Sequence, residues 1–443
     1  MRRGVRWRFA AALLAAFILP GCGGGDAGSS SAPAKAGNNS GATFSEGSAG
    51  SASAINVQAI TVNSGVTGQF PNMVMTSVTI CAPGSSACQT IPNIQVDTGS
   101  SGLRLLASTV TLPLPAVVSA DSGAAYGECV AFADGVAWGS LAIADVKLGG
   151  ESAASMSVQV IQDNGVGPAI PASCSAQGIP EDSLALLGAN GILGVGPLLQ
   201  DCGDYCAGTA DAIYYLCPAG SSCVEATLPT AGQVGNPAAF LAQDNIAQDN
   251  NGVILQLPAI PATGASSASG SMVFGIGTRA NNALTAAVIA VSDGVNAGSF
   301  SAVYGGATLT GGVFDSGSSG LYFDDAGIPT CTQSTTAGDL SGFFCPGTET
   351  ALSLVPINVT IIGSNGVSVL ITANVANALF LVTQPGAANL SVFNDLAGPA
   401  GSMLPDAFVF GAPFFFGRSV YTAFEQRSTP SGAGPYFAFQ AYP

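Results

Sequence analysis

Val96-Asp97-Thr98-Gly99-Ser100-Ser101-Gly102-Leu103 and Phe314-Asp315-Ser316-Gly317-Ser318-Ser319-Gly320-Leu321 are two copies of one turn. Asp, Gly, Ser, Ser, Gly and Leu recur at matching places, and Thr98 is exchanged for Ser316, which keeps the hydroxyl. Ile91-Pro92-Asn93-Ile94-Gln95-Val96 reads as a strand that delivers Asp97 at its end. Gly99 then frees the backbone to turn sharply. One acid turn in each half implies two carboxylates that are meant to meet.

A second pair of landmarks supports duplication. Gly191-Ile192-Leu193-Gly194-Val195-Gly196 is an apolar, Gly-punctuated run, and Phe408-Val409-Phe410-Gly411 is its counterpart. Asp97 and Gly194 stand 97 residues apart; Asp315 and Gly411 stand 96 apart. Two landmarks at one separation in both halves point to a repeated unit.

Composition narrows the chemistry. The 443 residues suit two cores rather than one. Only 8% of residues are charged and 59 are Gly, which suits a turn-rich β protein better than a helical bundle. The formal charge is −16, and four of the ten basic residues (Arg2, Arg3, Arg6 and Arg8) lie at the N-terminus. Nucleic acid is therefore not an expected partner. Histidine is absent, which excludes Ser-His-Asp and Cys-His hydrolysis and any His-bearing zinc site. Carboxylates, Lys35, Lys147, tyrosines and cysteines remain as acid–base groups. No metal and no cofactor is expected.

Residues 1–22 read as an export signal: a basic start, then a short apolar run from Phe9 to Pro20. The ending Leu19-Pro20-Gly21-Cys22 resembles a bacterial lipobox, which implies acylation of Cys22 and a lipid anchor, with Gly23 favouring the outer membrane. The alternative is an ordinary secretory signal. Residues 23–56 are Gly, Ser, Ala and Asn with little apolar bulk, as a flexible tether would be. With Cys22 set aside, ten cysteines remain, an even number for disulfides in an exported protein. Cys81 and Cys88 flank a turn and are expected to pair; so are Cys331 and Cys345, alone in the second half. Cys129, Cys174, Cys202, Cys206, Cys217 and Cys223 are left open.

The remaining chain shows short alternating runs. Strands are expected over residues 74–80, 155–162, 271–275, 285–291 and 299–303, with a strand-like, aromatic end from Phe414 to Glu425 and at Tyr436 to Phe439. Ala125-Tyr126-Gly127-Glu128 and residues 136–149 read as a hairpin, and Asn365-Gly366 as the turn of another. One helix is expected at Pro237 to Gln243. The expected class is all-β, with a first lobe over 57–277 and a second over 278–443.

At these residues the chain resembles the two-lobed, pepsin-like aspartic peptidases, from about residue 57 to the end. The resemblance rests on Asp97 to Ser100 and Asp315 to Ser318, on Ile192-Leu193-Gly194 and Val409-Phe410-Gly411 behind them, and on the closing run from Phe408. It also resembles a group of bacterial lipoproteins carrying these turns. The family fold is bilobal with a cleft between the lobes. It implies Asp97 and Asp315 as catalytic acids sharing one proton, because carboxylates about 3 Å apart cannot both ionise. One would act as general base on water while the other polarises the scissile carbonyl. Thr98 and Ser316 would bond across the lobes, and Ser100 and Ser318 would donate to the carboxylates. Tyr126-Gly127 would be the substrate-covering flap; the alternative for Tyr126 is a packed hairpin aromatic. Arg104 stands where the family usually has a Trp that supports the flap. The implied function is a lipid-anchored, monomeric endopeptidase acting on proteins or peptides. The alternative is a non-catalytic envelope binding protein, since a fold alone does not carry function.

Overall fold

The structure is a computed structural model that describes residues 54–442 apart from 164, 168, 244–245, 287, 292–297, 333, 336–337, 402–403 and 405. The expected signal, Cys22 and nearly all of the expected tether lie outside these residues. The described chain is all-β, with a 17-stranded sheet, a seven-stranded sheet and two minor ribbons.

The large sheet begins with Val57–Asn63, Met73–Cys81 and Cys88–Asp97. Val62, Val74, Ile80, Ile94 and Val96 alternate inward and are buried, as the period-2 pattern of a half-covered strand requires. The second sheet is built on Phe300–Tyr304, Ala307–Phe314 and the long hairpin Leu354–Ile362 with Ser368–Ala376. That hairpin turns at Asn365-Gly366, where Gly366 has φ +76°.

The sheets do not divide the chain at residue 277. Arg418–Ala423 pairs antiparallel with Gly252–Leu257, and Tyr436–Ala441 pairs with Arg418–Ala423. The end of the chain thus completes the sheet begun by the first half. The two acid turns are also backed differently. Aliphatic Val96, Leu103, Leu105, Leu193 and Val195 lie behind the first. Phenylalanines lie behind the second, where Phe314 stacks on Phe414 with centroids 4.5 Å apart and Phe323 stacks on Phe408 at 4.8 Å.

Several expected elements differ. Phe414 belongs to a helical turn, Ala412–Phe415, which Pro413 can open because it needs no amide partner there. The strand expected over 285–291 is only Ile289–Ala290 among the described residues, and the helix at 237–243 is a 3-10 turn, Pro237–Phe240. The expected disulfides Cys81–Cys88 and Cys331–Cys345 form. The six open cysteines pair as Cys129–Cys174, Cys202–Cys206 and Cys217–Cys223.

Candidate active site

Each acid turn is threaded by its apolar-Gly strand. Cys88–Asp97 runs parallel to Gly191–Val195, with Ile94 opposite Gly191 and Asp97 opposite Gly194. After the turn, Ser101–Leu106 runs antiparallel on the same strand, with Gly102 opposite Gly194. The second half repeats this. Ala307–Phe314 lies parallel to Ala407–Phe410, with Gly311 opposite Ala407, and Leu321–Tyr322 returns antiparallel with Leu321 opposite Phe410. The offsets of 97 and 96 residues seen in the sequence are the registers of these parallel pairs. The turns leave no room for a side chain at Gly194 or Gly411. A Cβ on Gly194 would lie 2.6 Å from the Ser101 carbonyl carbon, and one on Gly411 would lie 2.6 Å from Ser318 O.

The turns clasp each other through their hydroxyls. Thr98 Oγ1 donates to Phe314 O at 2.7 Å and accepts from Ser316 N at 2.9 Å. Ser316 Oγ donates to Val96 O at 2.8 Å and accepts from Thr98 N at 3.1 Å. Four buried groups are satisfied across the join by two side chains. Two amides reinforce it from the first half: Gln95 Nε2 donates to Gly317 O at 2.8 Å, and Asn72 Nδ2 donates to Ser319 O at 2.7 Å.

The clasp brings the acids together. Gly99 N donates to Asp97 Oδ1 at 2.7 Å, and Ser100 Oγ donates to Asp97 Oδ2 at 2.5 Å. Gly317 N and Ser318 Oγ serve Asp315 in the same way, at 2.9 and 2.7 Å. Each carboxylate lies over the glycine of the other turn. A Cβ on Gly99 would stand 2.7 Å from Asp315 Cγ, and one on Gly317 would stand 2.7 Å from Asp97 Oδ1. Asp97 is 1% exposed and Asp315 fully buried. Burial first, then the charge of Asp97 and a hydrogen bond with it, push the Asp315 carboxyl well above the usual range; Ser318 and Gly317 oppose this. The pair can thus hold one proton between two carboxyls.

The hairpin Ala125–Ala131 with Val136–Leu148 turns at Phe132-Ala133-Asp134-Gly135, not at Tyr126. Tyr126 and Gly127 lie toward the far end of their strand, opposite Leu216 and Tyr215. Tyr126 packs beside Leu141, Tyr214, Leu228 and Val234, as a packed hairpin aromatic does, and Gly127 leaves space for the Trp138 ring. It is the tip that crosses to the other half: Ala133 is buried in one cluster with Tyr322, Phe343 and Leu396. Arg104 is wholly buried and meets Glu128 at 3.2 Å and Asp201 at 2.6 Å. Its partners were not anticipated from sequence.

Residues 52–439 match the family described as "Protein of unknown function (DUF3443)". No curated protein matches the chain. Among solved structures, the crystal structure of aspartic proteinase from Irpex lacteus is similar at 16% identity, over 87% of this chain and 97% of that chain, with a TM-score of 0.46. A likeness at that level adds nothing to the geometry of the two turns.

Proposed function

The chain belongs to the DUF3443 family of proteins of unknown function, and we propose that it is an aspartic-type endopeptidase in which Asp97 and Asp315 activate water between them. The observation that carries this reading is the reciprocal seating of the two acids, each over the other turn's glycine. The ionised member of the pair takes a proton from water as it attacks. The protonated member donates toward the scissile carbonyl oxygen and then helps the amine leave. Ser100 and Ser318 hold the outer carboxylate oxygens, so the pair needs no reorganisation to react. Substrates in this reading are proteins or peptides with bulky apolar residues beside the scissile bond, and neither metal nor cofactor takes part. The chain is exported and lipid-anchored through Cys22 to the cell envelope, with residues 23–56 as its tether. The five disulfides among the described residues suit an oxidising compartment.

One observation favours a second reading. Both acids are almost unexposed and the hairpin tip is buried against the second half, as in a protein that binds rather than cleaves. Incubating the protein without residues 1–22 with an unfolded protein separates the two. Cleavage at acidic pH, blocked by a statine-type inhibitor and lost in Asp97→Asn and Asp315→Asn, is expected. Absence of cleavage from acidic to neutral pH, with both variants retaining the cellular phenotype, would sink the peptidase reading.

A further inference from the structure

Arg104 stands seven residues past Asp97, and Tyr322 stands seven past Asp315. Both are completely buried. Both fold back on the fourth residue past their acid: Arg104 Nη1 donates to Ser101 O at 2.5 Å, and the Tyr322 hydroxyl pairs with Ser319 Oγ at 3.0 Å. The neighbouring Ser100 and Ser318 are the residues that donate to the acids. Both also reach the hairpin, at different ends. Arg104 Nη2 donates to Glu128 Oε1, on the hairpin strand Ala125–Ala131, at 3.2 Å. Tyr322 lies in the buried cluster that receives the tip residue Ala133, close enough to Asp134 that its charge acts on the hydroxyl.

We propose that Arg104 and Tyr322 are positioning residues that lock the hairpin to the two acid turns, one at its strand and the other at its tip. This rests on the peptidase reading only where cleavage is the readout.

The strand-side lock depends on charge balance. The charged and titratable groups facing Glu128 are Arg104, Asp201 and Tyr214, whose hydroxyl donates to Asp201 Oδ2 at 2.9 Å. Arg104 and Asp201 already neutralise each other at 2.6 Å. Glu128 Oε2 is buried and has no hydrogen-bond partner among the described residues, which favours a neutral carboxyl there. Burial drives the Glu128 carboxyl well above its usual range, Arg104 opposes this, and Asp201 adds to it. With Glu128 protonated the cluster is neutral. Ionising it puts a surplus negative charge beneath the hairpin, so the lock weakens as pH rises.

Hydrogen exchange read by mass spectrometry on the full chain, corrected for the intrinsic pH dependence of exchange, tests this without reference to cleavage. In the unsubstituted protein the hairpin segment 125–148 should lose protection from acidic to mildly alkaline pH. Glu128→Gln, neutral at every pH, should abolish that dependence. Tyr322→Phe should raise exchange at the tip, residues 131–136, by about tenfold or more while leaving the rest of the hairpin unchanged. Arg104→Met should expose the whole hairpin at every pH. If it fails to fold, the other two variants still decide. Unchanged pH dependence in Glu128→Gln, or an unchanged tip in Tyr322→Phe, overturns the proposal. If the chain cleaves, Glu128→Gln should also extend activity to higher pH. A chain that never cleaves removes the peptidase reading and leaves the exchange result standing.

Discussion

Thr98→Val offers the sharpest test of how the two acid turns are held. Valine keeps the shape of threonine and deletes one hydroxyl. That hydroxyl serves two groups of the opposite turn, the Phe314 carbonyl at 2.7 Å and the Ser316 amide at 2.9 Å. Thr98 and Ser316 are fully buried, so water does not take its place. A buried polar group stripped of its partner costs about 1–3 kcal/mol, so the substitution should cost about 2–6 kcal/mol. Ser316→Ala removes the matching bonds to Val96 O and from Thr98 N and should cost about as much. Because the two hydroxyls clasp the same join, the double variant should fall short of the sum by about 1 kcal/mol or more. Thr98→Ser should keep both bonds, since serine already does this work in the second turn. Equilibrium unfolding in urea for all four variants supplies the numbers. A loss in Thr98→Val below about 0.5 kcal/mol, the size of an ordinary surface change, would refute the clasp. So would strict additivity of the pair.

Two further outcomes follow from the same geometry. Gly317→Ala places a Cβ 2.7 Å from Asp97 Oδ1 and must push the acids apart; a displacement near 1 Å should lower cleavage about 100-fold, read as kcat on a peptide substrate, with the fold retained by circular dichroism. Asp395 is buried, and burial raises its carboxyl from 3.8 to about 6. The folded state therefore holds that proton to higher pH than the unfolded chain, so its contribution is complete below about pH 4, declines up to about pH 6 and stays lost above. The rise from 3.8 to about 6 bounds the effect at about 3 kcal/mol. Asp395→Asn should raise the thermal midpoint at neutral pH and flatten its pH dependence in this window. Glu151, raised by burial and by Asp249 to about 8, extends the decline of the unsubstituted protein further. A midpoint that instead rises from acid to neutral pH would refute the sign.

The acid turns were legible because each is local and glycine-bound, and because parallel register appears in sequence as a fixed offset. Arg104 and Asp201 are 97 residues apart, as are Ser101 and Leu198, which also bond. Arg104 lies on the returning antiparallel strand, opposite Ile192, so this spacing is not the parallel register and does not locate its half-buried counter-charge. Glu128 could not be found either, since the hairpin's placement depends on packing against both halves. The hairpin tip did carry a local signal, Asp134-Gly135, a strong turn dipeptide. The Tyr126-Gly127 pair drew attention to the wrong end of the strand. The six open cysteines were illegible for a different reason. Cys129 and Cys174 meet only after Ala172–Ser175 packs on the hairpin. The all-β class was plain from alternation, whereas the helical turn at Ala412–Phe415 was hidden inside an aromatic run that reads equally as strand.

The closing strands bear on the order in which the molecule can be made. Gly252–Leu257 has Ala268–Phe274 on one side and Arg418–Ala423 on the other. Until the ribosome has passed Ala423, the first half presents an unpaired, apolar edge that nothing earlier in the chain covers. An incomplete chain is thus a template for edge-to-edge association. Premature stops between Phe274 and Arg418 should yield aggregates rather than a stable half-molecule. Completion of this sheet must wait until Arg418–Ala423 has been made.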